Sequence, residues 1–212
     1  MSDKILLIGG GGHCKSVLDS LQSSNLYSDI AIIDKLAHVG KYLSNVPIVG
    51  TDEQLEEFLN KGYHYAFIAV GSVGDPQPRI KLHQLVKSIG FRVPFIVDES
   101  AVIGSDTKLS EGVFVGKRAI VNSGSIISSC AIINSGAIIE HDCNVGKYAH
   151  VASGAVLTGG VTIGDNAHIG AQTVIRQNLS IGENTIIGIG SVVVETIGSN
   201  VVAYGNPCKI VR

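Results

Sequence analysis

Across 212 residues there is no tryptophan, one methionine and only 5% aromatic side chains. Charged residues make up 16% and nearly cancel, leaving a net charge of −2 and a pI of about 6.4. That balance lacks the basic bulk through which a chain meets nucleic acid or anionic lipid, so no nucleic-acid and no membrane partner is expected. No apolar run reaches the length of a membrane-spanning helix, although the mean hydropathy is +0.32. The opening residues, Met1–Lys4 ahead of four apolar residues and then glycines, are too short for a signal peptide. The four cysteines (Cys14, Cys130, Cys143, Cys208) show no CxxC spacing. A reduced, cytoplasmic protein with buried thiols is therefore expected. What the chain does have is glycine, 26 residues of it, among many aliphatics. Such a composition implies many tight turns around a slim core.

The two halves differ. Residues 1–100 hold 20 of the 34 charged residues and 8 of the 11 aromatics, whereas residues 101–212 hold 16 of the 26 glycines. With the break near Pro94–Ser100, two domains are expected, residues 1–97 and 98–212. The first half alternates strand and helix patterns. Strands are expected at Lys4–Ile8, Ile30–Ile33 and Tyr65–Val70, with a last one within Phe91–Val97. Helices are expected at Ser16–Gln22, Asp52–Asn60 and Pro78–Ile89, the second with acids in its first turn, where the helix dipole favours them. Strand-helix alternation of this kind gives a parallel, doubly wound, Rossmann-like α/β sheet.

The second half repeats. From Ile103, every sixth residue through Val193 is Ile, Leu or Val, sixteen in succession. With those residue types near a third of the chain, chance agreement is on the order of 10⁻⁸. Two residues before each aliphatic runs a second ladder of mostly small residues, Ala101, Thr107, Val113 and Ala119 onward. Glycine often follows the aliphatic, as at residues 104, 116, 146, 164, 170, 182 and 188. A helix does not explain a strict period of six, but a prism of short flat strands does. Each hexad makes one face and three hexads make one triangular coil, giving about five coils and a height of roughly 25 Å at about 4.8 Å per coil. The aliphatic points inward, the small residue permits the corner, and glycine is expected to supply unusual dihedrals at the turn.

This run resembles the left-handed parallel β-helix of the hexapeptide acyltransferases. The tail Tyr204-Gly205-Asn206-Pro207-Cys208-Lys209 resembles their closing motif, with Cys in place of Ala. The GGGGH loop at Gly9–His13, the strand ends at Asp34 and Gly71, and the stretch from Asn134 to His150 are similar to the sugar O- and N-acetyltransferases. That group includes sialic-acid O-acetyltransferases and acetyltransferases of UDP-4-amino-4,6-dideoxy sugars. The resemblance implies a homotrimer that uses acetyl-CoA, with no metal, and an N-terminal domain that holds a nucleotide-sugar for bacterial glycan biosynthesis.

His141 lies two residues past the inward Ile139, so it projects outward from a rigid coil between Glu140 and Asp142. A carboxylate beside an imidazole fixes its tautomer and raises its basicity, which suits a general base. A surface histidine in a polar turn is the plain alternative. The resemblance implies that His141 is the catalytic base and that Asp142, where the family usually has Glu, is its partner. Glu140 and Asn134 match the family as residues supporting substrate or histidine, or they are plain turn formers. His150 lies nine residues on, half a coil, so within one prism it cannot face the cleft of His141. If both serve one site, that site lies between subunits, and a threefold ring suits a triangular prism. The resemblance implies that His150 contacts acetyl-CoA. His168, one coil beyond His150, reads first as a satisfied interface histidine.

Backbone N–H groups on coil edges are candidates for binding the pantetheine amides and the thioester oxygen, and matching the register points to Gly159, Ala171, Gly188 and Ile189. Arg176 and Lys209 read as solvated charges, with the coenzyme phosphates as the other reading. The loop Gly9–His13 fails the dinucleotide fingerprint, because a third glycine would fall at Cys14. Glycines between a strand and a helix still let backbone approach a phosphate. The resemblance assigns Gly11, Gly12 and His13 to the sugar and phosphates and Asp34 to base or ribose. Lys35 stands beside Asp34 where the family often has a second acid, and Gly71 lets the chain pass close to the ligand. A 4-amino group on a nucleotide-linked sugar is the expected acceptor, ahead of a sialic-acid hydroxyl. Two other classes fit less well. A metalloenzyme on the same prism would need His141, His150 and His168 to meet at one interface. A non-catalytic trimeric scaffold leaves the acid-flanked His141 and the glycine loop unexplained.

Overall fold

The structure is a computed structural model that describes residues 3–212. Met1 and Ser2, which open the short N-terminal segment read above, lie outside the described residues. By its contacts the chain divides into two compact units. One runs up to Ser72 and resumes over Gln77–Ile96; the other comprises Val73–Pro76 and Val97–Arg212. Among the described residues no helix is long and apolar enough to cross a membrane.

The first unit contains β1 (Lys4–Ile8), α1 (Gly12–Ser24), β2 (Asp29–Ile33), β3 (Tyr42–Leu43), β4 (Val46–Gly50), α2 (Leu55–Asn60), β5 (Tyr63–Ile68) and α3 (Gln77–Ile89). Its sheet has the order β3-β4-β2-β1-β5. β1 pairs parallel with β2 and β5 on either side, and its apolar run Ile5–Ile8 is fully buried, as a strand covered on both faces requires. Three details depart from the sequence reading. The β3–β4 hairpin was not expected, because Pro47 interrupts the run that forms β4. In the fold Pro47 faces Tyr42 across a two-residue antiparallel arm, while Val46 and Ile48 turn inward. The helix expected at Asp52–Asn60 is instead a 3₁₀ turn, Asp52–Gln54, running into α2. Thr51 and Gln54 close a capping box at its start. Of the strand expected at Phe91–Val97, only Ile96–Val97 is a strand, and Arg92 makes an isolated bridge to Tyr65.

The second unit is a three-sided prism of two-residue parallel strands. Within each face the register steps by 18 residues. Val121, Ile139, Leu157 and Ile175 align on the first face, Ile127, Val145 and Ile163 on the second, and Ile133, Val151 and Ile169 on the third. The sixfold aliphatics from Val115 to Val193 are buried in one continuous core; Ile103 and Leu109, at the open end, are partly covered. The small ladder is buried too, and includes Ala119, Ser125, Ala137 and Thr173. It therefore forms a second inward row rather than merely permitting the corners.

The glycine reading needs correction. The left-handed backbone falls three residues after the aliphatic, not one, and is adopted by Arg118, Cys130, Asp142, Tyr148 and Asn166 as well as by Gly124 and Gly160. The glycines directly after the aliphatic are needed for space. A Cβ on Gly146 would come within 2.6 Å of the Asp165 N and the Gly164 carbonyl carbon on the next coil, and one on Gly164 within 2.5 Å of the Glu183 N. The 18-residue step also ends: Ile187 pairs with Ala203 and Ile181 with Ile197, 16 residues on, before an antiparallel hairpin closes the chain.

Candidate active site

His141 sits at the edge between the first and second faces, just past the strand Ile138–Ile139. Its Nδ1 lies 2.8 Å from Asp142 Oδ2. A carboxylate can only accept, so Nδ1 carries the proton and Nε2 presents its lone pair. Asp142 occupies the left-handed corner position (φ 59°), a conformation that Asp tolerates better than most residues. Both side chains are exposed, 67% and 72%. Glu140, the other flanking acid, is engaged elsewhere: Asn122 Nδ2 donates to its Oε2 at 2.9 Å, and Ser125 Oγ donates to its carbonyl oxygen. The acid that orients His141 is therefore Asp142.

His150 lies on the third face, opposite the edge that carries His141, as half a coil of separation requires. It is buried there, one coil before His168, with the two rings edge-to-face at 5.0 Å. Asn134 does not reach His141. The Ser135 N–H donates to Asn134 Oδ1 at 2.8 Å, which turns the Asn134 Nδ2 toward His150 Nε2 at 3.3 Å. That nitrogen therefore accepts, and the His150 proton sits on Nδ1. Burial lowers the pKa of His168, which favours its neutral ring.

Of the coil-edge amides, those of Gly159, Ala171 and Ile189 donate to no acceptor among the described residues, and Ile189 is exposed. Gly188 differs. Its N–H donates to the Ala203 carbonyl at 2.8 Å and its own carbonyl accepts from Thr173 and Ser191, so its backbone is used within the prism. Arg176 and Lys209 are exposed. Among the described residues no group of three His, Cys, Asp or Glu side chains is placed to hold a metal ion.

In the first unit, Gly11 is the N-cap of α1 without a side-chain cap, and a Cβ on Gly11 or Gly12 would meet nothing within 4 Å. An uncapped helix start with open space in front of it suits a phosphate. The His13 side chain packs against Gly71, where a Cβ would lie 3.3 Å from that of His13. A cavity of about 560 Å³ opens at the carboxyl ends of β1 and β2, lined in part by Gly9, Asp34, Lys35, Asp52, Val70 and Leu82. Burial pushes the Asp34 carboxyl up, but hydrogen bonds from His38 and from the Lys35 and Gly10 N–H groups outweigh it and hold the group below its ordinary value. His38, whose Nδ1 lies 2.8 Å from Asp34 Oδ2, was missed in the sequence; its place four residues after Asp34 was the available signal. Cys14, at the start of α1, is driven up to about 12 by burial and by the charge of Asp34, so its thiol is inert.

Two family models match the chain, the PglD N-terminal domain over residues 4–86 and the GlmU-like C-terminal hexapeptide over residues 99–193. No curated protein sequence matches it. Among solved structures, PerB from Caulobacter crescentus, in complex with CoA and GDP-perosamine, is 34% identical with a TM-score of 0.92. The match covers 100% of this chain and 99% of that one. The chain belongs to the hexapeptide-repeat sugar acetyltransferases. It has that family's architecture, an α/β parallel-sheet unit followed by a left-handed parallel β-helix, and it is an acyltransferase. The acetyltransferase domain of PglB from Neisseria gonorrhoeae, in complex with acetyl coenzyme A, is 26% identical with a TM-score of 0.92 and full coverage of both chains. WeeI from Acinetobacter baumannii is 27% identical with a TM-score of 0.87, over 98% of this chain and 99% of that one.

Proposed function

We propose that this acetyltransferase moves the acetyl group of acetyl-CoA to the amino group of a nucleotide-linked 4-amino-4,6-dideoxy sugar destined for a bacterial glycan. The observation that carries this reading is the His141–Asp142 pair, 2.8 Å apart on an exposed coil edge, in a chain aligned end to end with a perosamine N-acetyltransferase. That enzyme has also been solved as mutants in which a histidine is replaced by asparagine or alanine.

His141 Nε2 accepts the proton that the amine gives up as its nitrogen bonds to the acetyl carbon. Asp142 keeps Nδ1 protonated and steadies the imidazolium that results. Acetyl-CoA supplies the activated acyl carbon; as its carbon–sulfur bond breaks, the imidazolium returns the proton to the sulfur and CoA leaves as the free thiol. The open N–H groups of Gly159, Ala171 and Ile189, together with His150, are the groups of this chain suited to hold it. Gly11, Gly12 and His13 at the start of α1 take the diphosphate, and the Asp34–Lys35 end of β2 with Gly71 takes the nucleoside side.

We further propose a homotrimer. The outward row of the first face is wholly aliphatic (Val102, Ile120, Ile138, Val156, Val174, Val192), with Val102 59% and Val174 41% exposed in the single chain. Such a stripe calls for a partner surface.

Thiol release is the direct assay. With acetyl-CoA, UDP- or GDP-linked 4-amino sugars should support turnover, and free or CMP-linked sialic acid should not. UDP is the nucleotide that the family resemblance implies, and GDP the one in the Caulobacter complexes. Turnover with sialic acid alone would overturn the amine as acceptor.

A further inference from the structure

His141 and Asp142 are both exposed, and an exposed ion pair alone fixes geometry poorly. What holds the imidazole is the neighbouring coil. Gly159 lies 18 residues beyond His141, one coil on at the same edge. A Cβ built on Gly159 would lie 2.6 Å from both Cε1 and Nε2 of His141 and 3.3 Å from Cδ2. Nothing but glycine leaves room for the ring where it stands. Asp142 leans the other way: a Cβ on Gly124, one coil earlier, would come within 2.5 Å of its Oδ1.

The two glycines are not equivalent. Gly124 has φ +73°, a backbone conformation that favours glycine on its own account. Gly159 has no left-handed φ; that conformation belongs to its neighbour Gly160, at +70°. In the column of residues at this edge, Ser105, Ser123, His141, Gly159, Gln177 and Glu195, the one without a side chain stands directly beyond the histidine. The backbone of Gly159 does not require glycine, so the imidazole is the reason for it.

We infer that Gly159 is a positioning residue for His141: its missing side chain creates the space that sets the direction of Nε2. This rests on His141 being the base, as proposed above, and it gives Gly159 a role separate from any contact with the coenzyme. A displacement of about 1 Å at a reacting group costs roughly a hundredfold in rate.

The test is Gly159→Ala, which the local backbone accepts, read beside wild type, His141→Ala and Gln177→Ala, a control from the same column. Gly159→Ala keeps the backbone N–H assigned to the coenzyme, so it should melt with wild type and bind CoA with little change in Kd by calorimetry. Its kcat should fall by about ten- to a hundredfold, and the His141 ring signals should move in ¹H–¹⁵N spectra; Gln177→Ala should change neither. Wild-type kcat and unmoved ring signals in Gly159→Ala, with His141→Ala inactive, would overturn the positioning role and leave the base intact. A weaker CoA Kd with kcat preserved at saturation would overturn it too and leave Gly159 with a coenzyme contact alone. Full turnover by His141→Ala would instead remove the base itself, and the ring signals would then decide alone whether Gly159 places the imidazole.

Discussion

Replacing His141 by alanine should lower kcat by about 10²–10⁴-fold, the range that a positioned general base contributes. The fold should be untouched. The side chain is 67% exposed, so its removal takes no core contact away. The loss should fall on kcat with little change in KM for acetyl-CoA, because Ala171, Ile189 and His150 are elsewhere on the prism and the Gly159 N–H is left in place. Asp142→Asn should act in the same direction by a smaller factor. An amide at 2.8 Å from Nδ1 can donate as well as accept, so it no longer excludes the tautomer with the proton on Nε2. Steady-state kinetics of both variants, with melting curves as the control for folding, check this. Turnover of His141→Ala within about twofold of wild type would remove His141 from the mechanism.

Ile139→Asp should prevent the prism from folding. Ile139 is fully buried and stacks between Val121 on the coil before and Leu157 on the coil after. Removing its burial costs about 1.5–3 kcal/mol. A carboxylate in its place, with no partner, adds several more. Together these approach the whole stability of an ordinary domain, about 5–15 kcal/mol. The expected result is insoluble protein or loss of the cooperative melt, whereas Ile139→Val should cost only about 0.5–1.5 kcal/mol. An Ile139→Asp protein that melts within a few degrees of wild type would mean that this position is not in a continuous core.

The prism was legible because its rule is local: one aliphatic every six residues is both the sequence period and the geometry of a face. The same regularity places His141 on an edge and His150 on the opposite face. Glycine misled for a physical reason. Its two uses, a left-handed backbone and the absence of a Cβ, look identical in sequence, and only the packing of neighbouring coils shows that Gly146 and Gly164 serve the second. Asp142 shows the converse, a residue in the left-handed region that is not glycine. In the first unit, β1, β2 and β5 are legible as apolar runs because they are buried on both faces. β4 is not, because Pro47 breaks its pattern and one of its two pairing partners is a two-residue arm. At the site, the Asp142 contact follows from adjacency in sequence. The partners of Asn134, Glu140 and Asp34 do not, since each depends on which side chains the fold brings alongside.

The most direct measurement is a crystal structure of the protein with CoA and an unreactive or slowly reacting 4-amino nucleotide-sugar. The sugar nitrogen should stand within hydrogen-bond reach of His141 Nε2, about 2.6–3.2 Å, with Nδ1 still on Asp142. A sugar amine far from that nitrogen, with the CoA sulfur equally remote, would contradict the account.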